Sequence, residues 1–146
     1  MSGLSWLTIL NKRENFRAAF RSFQPAAVAR FGARDVSRLM GDAGIVRNRA
    51  KIEATINNAR RYADLVSEFG SFAAYAWSYE PKHASAGVPS EALAMSKDLR
   101  KRGWAFVGPT TVQSFMQAMG LVNDHVRGCA AGAEVTRLRK DFVRPR

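Results

Sequence analysis

The chain has 146 residues, 47% of them hydrophobic and 24% charged, enough to bury one sizeable core and too apolar for a chain that stays disordered. Against 12 acidic residues stand 23 Lys and Arg, a net charge of +11, which is the electrostatic footprint of a polyanion binder or of a very basic surface. No run reaches the roughly 20 apolar residues that cross a bilayer, no basic stretch precedes the apolar part of MSGLSWLTIL, and a single cysteine, Cys129, excludes an internal disulfide.

In chain order the pattern is helical. Ser5 is placed to cap a first helix with Trp6, Ile9, Leu10, Phe16 and Phe20 near one face. Pro25 restarts the chain into a short second helix over 26–31, and Asp35 is the expected cap of a third that ends near Gly41 or Gly44. The longest candidate covers 47–68, with Ile52, Ile56, Ala59, Tyr62, Ala63 and Val66 in a stripe and Arg47, Arg49, Lys51, Arg60 and Arg61 on the other face. Phe69, Phe72, Tyr75, Trp77 and Tyr79 are dense enough to read as core. Pro81, Gly87 and Pro89 mark a loop over 80–89, and Ser90 opens a helix to about Arg102. No alternating β-branched run is bounded by turn signals, so the fold class is all-α, one domain over 1–146, with a basic, solvated tail over 135–146.

The segment SKDLRKRGWAFVGPTTVQSFMQAMG, 96–120, carries the binding argument. A basic helix ends at Gly103, a turn containing Phe106, Val107, Gly108, Pro109 and Thr110 follows, and an apolar helix begins near Thr111. This is the layout of a helix-hairpin-helix motif. Glycine lets the backbone approach phosphates, and N–H groups at the next helix N-terminus donate to them, with the Thr110 and Thr111 hydroxyls in support. Lys97, Arg100, Lys101 and Arg102 supply sequence-independent attraction, and Pro109 removes only an N–H that the helix does not need. The same residues would also serve as a helix–turn–helix corner with a solvated basic face.

Four blocks, SGLSWLTILNKRENFRAAF (2–20), DAGIVRNRAKIEATINNARRY (42–62), FAAYAWSY (72–79) and KRGWAFVGPTTVQSFMQAMGLVNDHVRGC (101–129), resemble the DNA-3-methyladenine glycosylase I family in the family's order. That resemblance implies a helix-hairpin-helix glycosylase bundle and hydrolysis of the N-glycosidic bond of 3-methyladenine in double-stranded alkylated DNA after base flipping. Trp6 matches the tryptophan that lines the base pocket, and Gly3 and Leu4 match the segment that approaches the gap left in the duplex. The hairpin match makes Val107, Gly108, Pro109, Thr110, Thr111, Lys101 and Arg102 DNA-binding residues. His125 and Cys129 match the C-terminal pair of a structural zinc site, a spacing that would let both reach one ion from a single helical turn.

The resemblance also implies a segment ahead of GLSW with the first two zinc ligands, an aromatic residue of the pocket and a Glu that contacts the base. Because Met1-Ser2-Gly3 opens this sequence, it is read as N-terminally truncated, with a half-built zinc site at 125–129 and no assignable catalytic carboxylate. His83 matches no ligand position, and Asp124, beside the zinc pair, reads as a cap or as a partner of a ligand ahead of a general base. The alternative function is a catalytically impaired module that binds DNA without sequence preference. A cytoplasmic monomer is expected.

Overall fold

The computed structural model describes residues 5–82, 87–126 and 128–145, and among them there are helices and turns but no strand. The helices are α1 (Trp6–Asn11), α2 (Arg13–Ala19), α3 (Pro25–Val28), α4 (Ala33–Gly41), α5 (Arg49–Phe69), α6 (Phe72–Trp77), α7 (Ser90–Lys101), α8 (Pro109–Ala118) and α9 (Ala130–Asp141), with one 3-10 turn at Arg21–Phe23. Two compact units form, Met1–Asp64 with Arg102–Phe106, and Leu65–Lys101 with Val107–Arg146. No helix among the described residues is long and apolar enough to cross a membrane.

In the first unit, Ser5 caps α1 as expected, its side chain accepting from the Thr8 N–H at 3.3 Å. The single first helix is corrected to two. Lys12 leaves helical geometry at φ −99° and ψ 4°, and its Nζ donates to the Ala43 and Gly44 carbonyls at 2.9 and 3.2 Å. Only the second piece reaches the core, which gathers Ala19, Phe20, Val28, Phe31, Val36, Leu39, Ile45, Ile52 and Ile56. The helix expected over 26–31 is shorter: it starts at Pro25, after positive φ at Arg21, Ser22 and Phe23, and ends at Val28, beyond which 29–30 form a turn. Asp35 is not the N-cap of α4. Gly32 is, and Asp35 reaches back from the third helical position to accept the Gly32 N–H at 3.1 Å.

In the second unit Tyr75 is the fully buried centre, with Phe69, Phe72 and Tyr79 rings 5.0, 6.0 and 5.3 Å away. Its hydroxyl donates to Asp98 on α7 at 2.9 Å, and burial first, then that bond, pushes the phenol well above its ordinary value. Of the aromatic cluster expected as core, only Tyr75 is buried, and Phe69, Phe72, Trp77 and Tyr79 are half-buried. The basic tail is not simply solvated. It is helical to Asp141, then folds back so that Phe142 stacks on Trp77 at 4.8 Å and Arg144 lies 5.6 Å over the same ring. Glu80 accepts from Arg139 at 2.7 Å and from Arg144 at 3.0 Å, which ties down the segment.

Candidate functional site

The turn between α7 and α8 is built by residues far away in sequence. Asn57 on α5 donates its Nδ2 to the Gly103 carbonyl at 2.8 Å. Asn58, the next residue, uses both ends of its amide on Ala105: Nδ2 donates to the carbonyl and Oδ1 accepts the N–H, each at 2.9 Å. The two amides are joined, Asn57 Nδ2 donating to Asn58 Oδ1 at 3.2 Å. Within the second unit the buried Ser96 donates from Oγ to the Val107 carbonyl at 2.7 Å. The turn's polar backbone groups therefore have specific side-chain partners, and its shape is set in advance.

Glycine's freedom is needed at Gly103, not at Gly108. Gly103 has φ +81°, and a Cβ there would meet Arg61 Nε at 3.2 Å. Gly108 has φ −64°, an angle any residue adopts, and serves as N-cap of α8 with no side-chain cap bond among the described residues. The missing side chain of Gly108 leaves room beside the Arg100 guanidinium, 3.5 Å from where a Cβ would sit. Pro109 takes the first helical position, and Thr110 and Thr111 are exposed in the first turn. No side chain caps that turn among the described residues, which leaves its N–H groups and the partial positive charge of the helix end open to a ligand. Lys101 is exposed and Arg102 half-buried just before it. The arrangement suits a phosphate and asks for no particular base.

Trp6 lies on α1 with 59% of its surface exposed, and Leu7 and Leu10 are exposed with it. An indole in that state can stack on a planar ring. Gly3 and Leu4 lie outside the described residues, as does His83.

His125 and Cys129 line one cavity of about 420 Å³ with Asn123, Gly132 and Thr136 among its other walls. They do not share a helical turn, which corrects the expected geometry: the described residues of 121–129 are non-helical and Cys129 is the N-cap of α9. His125 is oriented by its Nδ1–H donating to Asn123 Oδ1 at 2.7 Å, a tautomer that leaves Nε2 as a lone-pair donor. Asn123 is itself fixed by donating to the Gly132 carbonyl at 3.0 Å and to Thr136 Oγ1 at 2.9 Å. Gly132 is required beneath the imidazole, since a Cβ would come 2.7 Å from His125 Cβ. The pair suits one metal ion as half of a donor set, and no group of three His, Cys, Asp or Glu converges among the described residues. Asp124 is exposed and accepts from Gln117 Nε2, which fits a local tie better than a base.

Sequence reasoning missed Asn57, Asn58 and Ser96. The paired amides at the NN of TINNARRY were visible, but nothing local showed that they face a turn.

A family model described as methyladenine glycosylase matches residues 1–132. The chain is 49% identical over 138 residues to the DNA-3-methyladenine glycosylase 1 of Escherichia coli (strain K12), covering 88% of this chain and 74% of that protein. It is 40% identical over 138 residues to the DNA-3-methyladenine glycosylase of Haemophilus influenzae, covering 88% and 75%. Among solved structures, a 3-methyladenine DNA glycosylase I from Staphylococcus aureus, described for its recognition of 3-methyladenine, aligns with a TM-score of 0.82 and 39% identity over 90% of this chain and 75% of that one.

Proposed function

The chain belongs to the methyladenine glycosylase family, and from that premise we propose that it excises 3-methyladenine from alkylated duplex DNA, opening base excision repair. Its all-helical fold is that of the family's solved structures. One observation supports the DNA reading on this chain's own residues: the turn that precedes α8 in the chain is clamped by Asn57 and Asn58, and α8 opens on Gly108 with no side-chain cap bond among the described residues.

The chemistry asks little of acid catalysis. Methylation at N3 makes the purine cationic, so when the bond from C1′ to N9 breaks, the electron pair moves into the ring and neutralises it. Water oxygen bonds to C1′ and its proton goes to solvent. The protein must bend the duplex, hold the extruded nucleotide and exclude the base from its stack, at a cost of a few kcal/mol that is smallest for a damaged base. Trp6 stacks on the cationic purine, where its exposed indole face adds cation–π attraction. Gly3 and Leu4 approach the gap in the duplex. Val107, Gly108, Pro109, Thr110 and Thr111 receive a phosphate, with Lys101 and Arg102 attracting the backbone.

His125 and Cys129 would hold a structural zinc ion through Nε2 and Sγ, and a tetrahedral ion takes two further donors. Bound there, zinc would tie 121–129 to the start of α9. The reading includes a monomer in the cytoplasm, consistent with one half-buried cysteine and no disulfide.

The test is release of 3-methyladenine from methylated duplex DNA by the purified chain. Release well above spontaneous depurination is expected. Duplex binding with no release would instead leave a DNA-binding module without the glycosylase step.

A further inference from the structure

Phe106 sits in the clamped turn with φ +57°, a left-handed conformation that a bulky side chain adopts only under strain and that glycine adopts freely. Packing does not account for the choice of residue. Phe106 is 53% exposed and makes no ring contact among the described residues. Phe23 offers the comparison: it also has positive φ and is 48% exposed, but it stacks on Phe20 with ring centres 5.3 Å apart. The strain at Phe23 is matched by a ring contact within the chain, and Phe106 has no such ring partner among the described residues.

The strain persists because the surroundings over-determine it. Both backbone polar groups of Ala105, the residue before, are taken by the Asn58 amide, which is braced by Asn57. The half-exposed ring thus stands four residues after Arg102, the last cation of the segment, and two residues before the Gly108 cap of α8. A duplex edge matches that sequence of chemistries, since apolar deoxyribose faces alternate with phosphates along each strand.

We propose that Phe106 is a DNA-contact residue whose ring packs on the sugar–phosphate backbone of the duplex, and that Asn58 is the positioning residue that keeps it there. The inference rests on the glycosylase reading above and adds to it a contact that is apolar rather than ionic. It also explains why the left-handed position is occupied by phenylalanine.

The experiment compares the wild type with Phe106→Asn, because asparagine tolerates the left-handed turn but has no ring. Kd is measured on undamaged and on methylated duplex across a salt series. Loss of one stacked aromatic raises Kd by about tenfold on both duplexes. The slope of log K against log salt stays that of the wild type, because no phosphate charge contact is removed. KM for methylated duplex rises while kcat holds. Phe106→Gly, which relaxes the turn, gives the same answer if asparagine unfolds the chain. Asn58→Ala raises Kd to a similar extent, and the double variant Asn58→Ala/Phe106→Asn is no weaker than the weaker single variant, because both act through one contact.

An unchanged Kd in Phe106→Asn overturns the contact. Additive losses, about a hundredfold in the double variant, overturn the role of Asn58. A wild type without duplex affinity sinks the glycosylase reading and this inference together, whereas wild-type affinity that survives Phe106→Asn sinks the inference alone.

Discussion

The turn at 103–108 and the loop at 121–129 are both irregular segments that lead into a helix, and they are stabilised in opposite ways. The turn is closed by this chain's own amides, from Asn57 and Asn58, on the backbone of Gly103 and Ala105. The loop orients a histidine with care, through Asn123, yet leaves that histidine exposed beside a cavity with Cys129. A segment that must meet a polyanion in one shape gains from being rigid before the ligand arrives. If His125 and Cys129 hold zinc as proposed, their segment is completed only when an ion and further donors close it.

The largest effect on that comparison is expected from Gly103→Val. Its φ of +81° and the 3.2 Å approach to Arg61 Nε leave no comfortable place for a branched side chain. The cost is on the order of 2 kcal/mol, read as a lower Tm, together with weaker DNA binding as the turn shifts. A wild-type Tm and Kd would mean that the turn is softer than its hydrogen bonds indicate.

Next comes Glu80→Gln, which loosens the far end of α9. The hydrogen bond from Arg144, then the charges of Arg144 and Arg139, hold the Glu80 carboxyl below its ordinary value. Because the folded value lies below the unfolded one, this stability is present at neutral pH and is lost as pH falls through the folded value. With the Glu80 side chain only 22% exposed, Glu80→Gln is expected to cost about 1–2 kcal/mol at pH 7 and to flatten the acid limb of a Tm-against-pH curve. An acid limb identical to the wild type would assign that loss to other carboxylates.

Lys101→Ala has a smaller effect of a different kind. It removes one phosphate contact, so the slope of log K against log salt falls by about 0.9 with Tm unchanged. An unaltered slope would place Lys101 away from the backbone. The smallest effect on DNA concerns the other region: His125→Ala and Cys129→Ser are expected to abolish zinc uptake, read by metal analysis after dialysis, while duplex Kd stays at the wild-type value. Zinc retained by both variants would dismiss the pair as ligands.

Much of this architecture was legible in the sequence because apolar period and capping chemistry are local. Ser5, Pro25, Ser90 and Pro109 all stand at helix starts where residue type alone places them. The errors fall where a distant contact decides. Lys12 breaks the first helix because its ammonium is captured by carbonyls at 43 and 44, about thirty positions away. Three consecutive positive φ angles at Arg21, Ser22 and Phe23 break the expectation that non-glycine residues avoid that region. Asn57 and Asn58 looked like any polar pair on a helix, since a solvated amide and one that holds a turn 46 residues later read alike. The candidate site followed the same division. The cationic run and the Gly-Pro-Thr-Thr start of α8 were visible, while the clamp that shapes the turn was not.

The most direct test of the account is excision of 3-methyladenine as a function of methylated-duplex concentration, run for the wild type and Asn58→Ala side by side. The account predicts release far above spontaneous depurination in the wild type, with KM raised and kcat preserved in Asn58→Ala. Release no faster than spontaneous depurination, or a kcat that collapses while KM stays fixed, would contradict it.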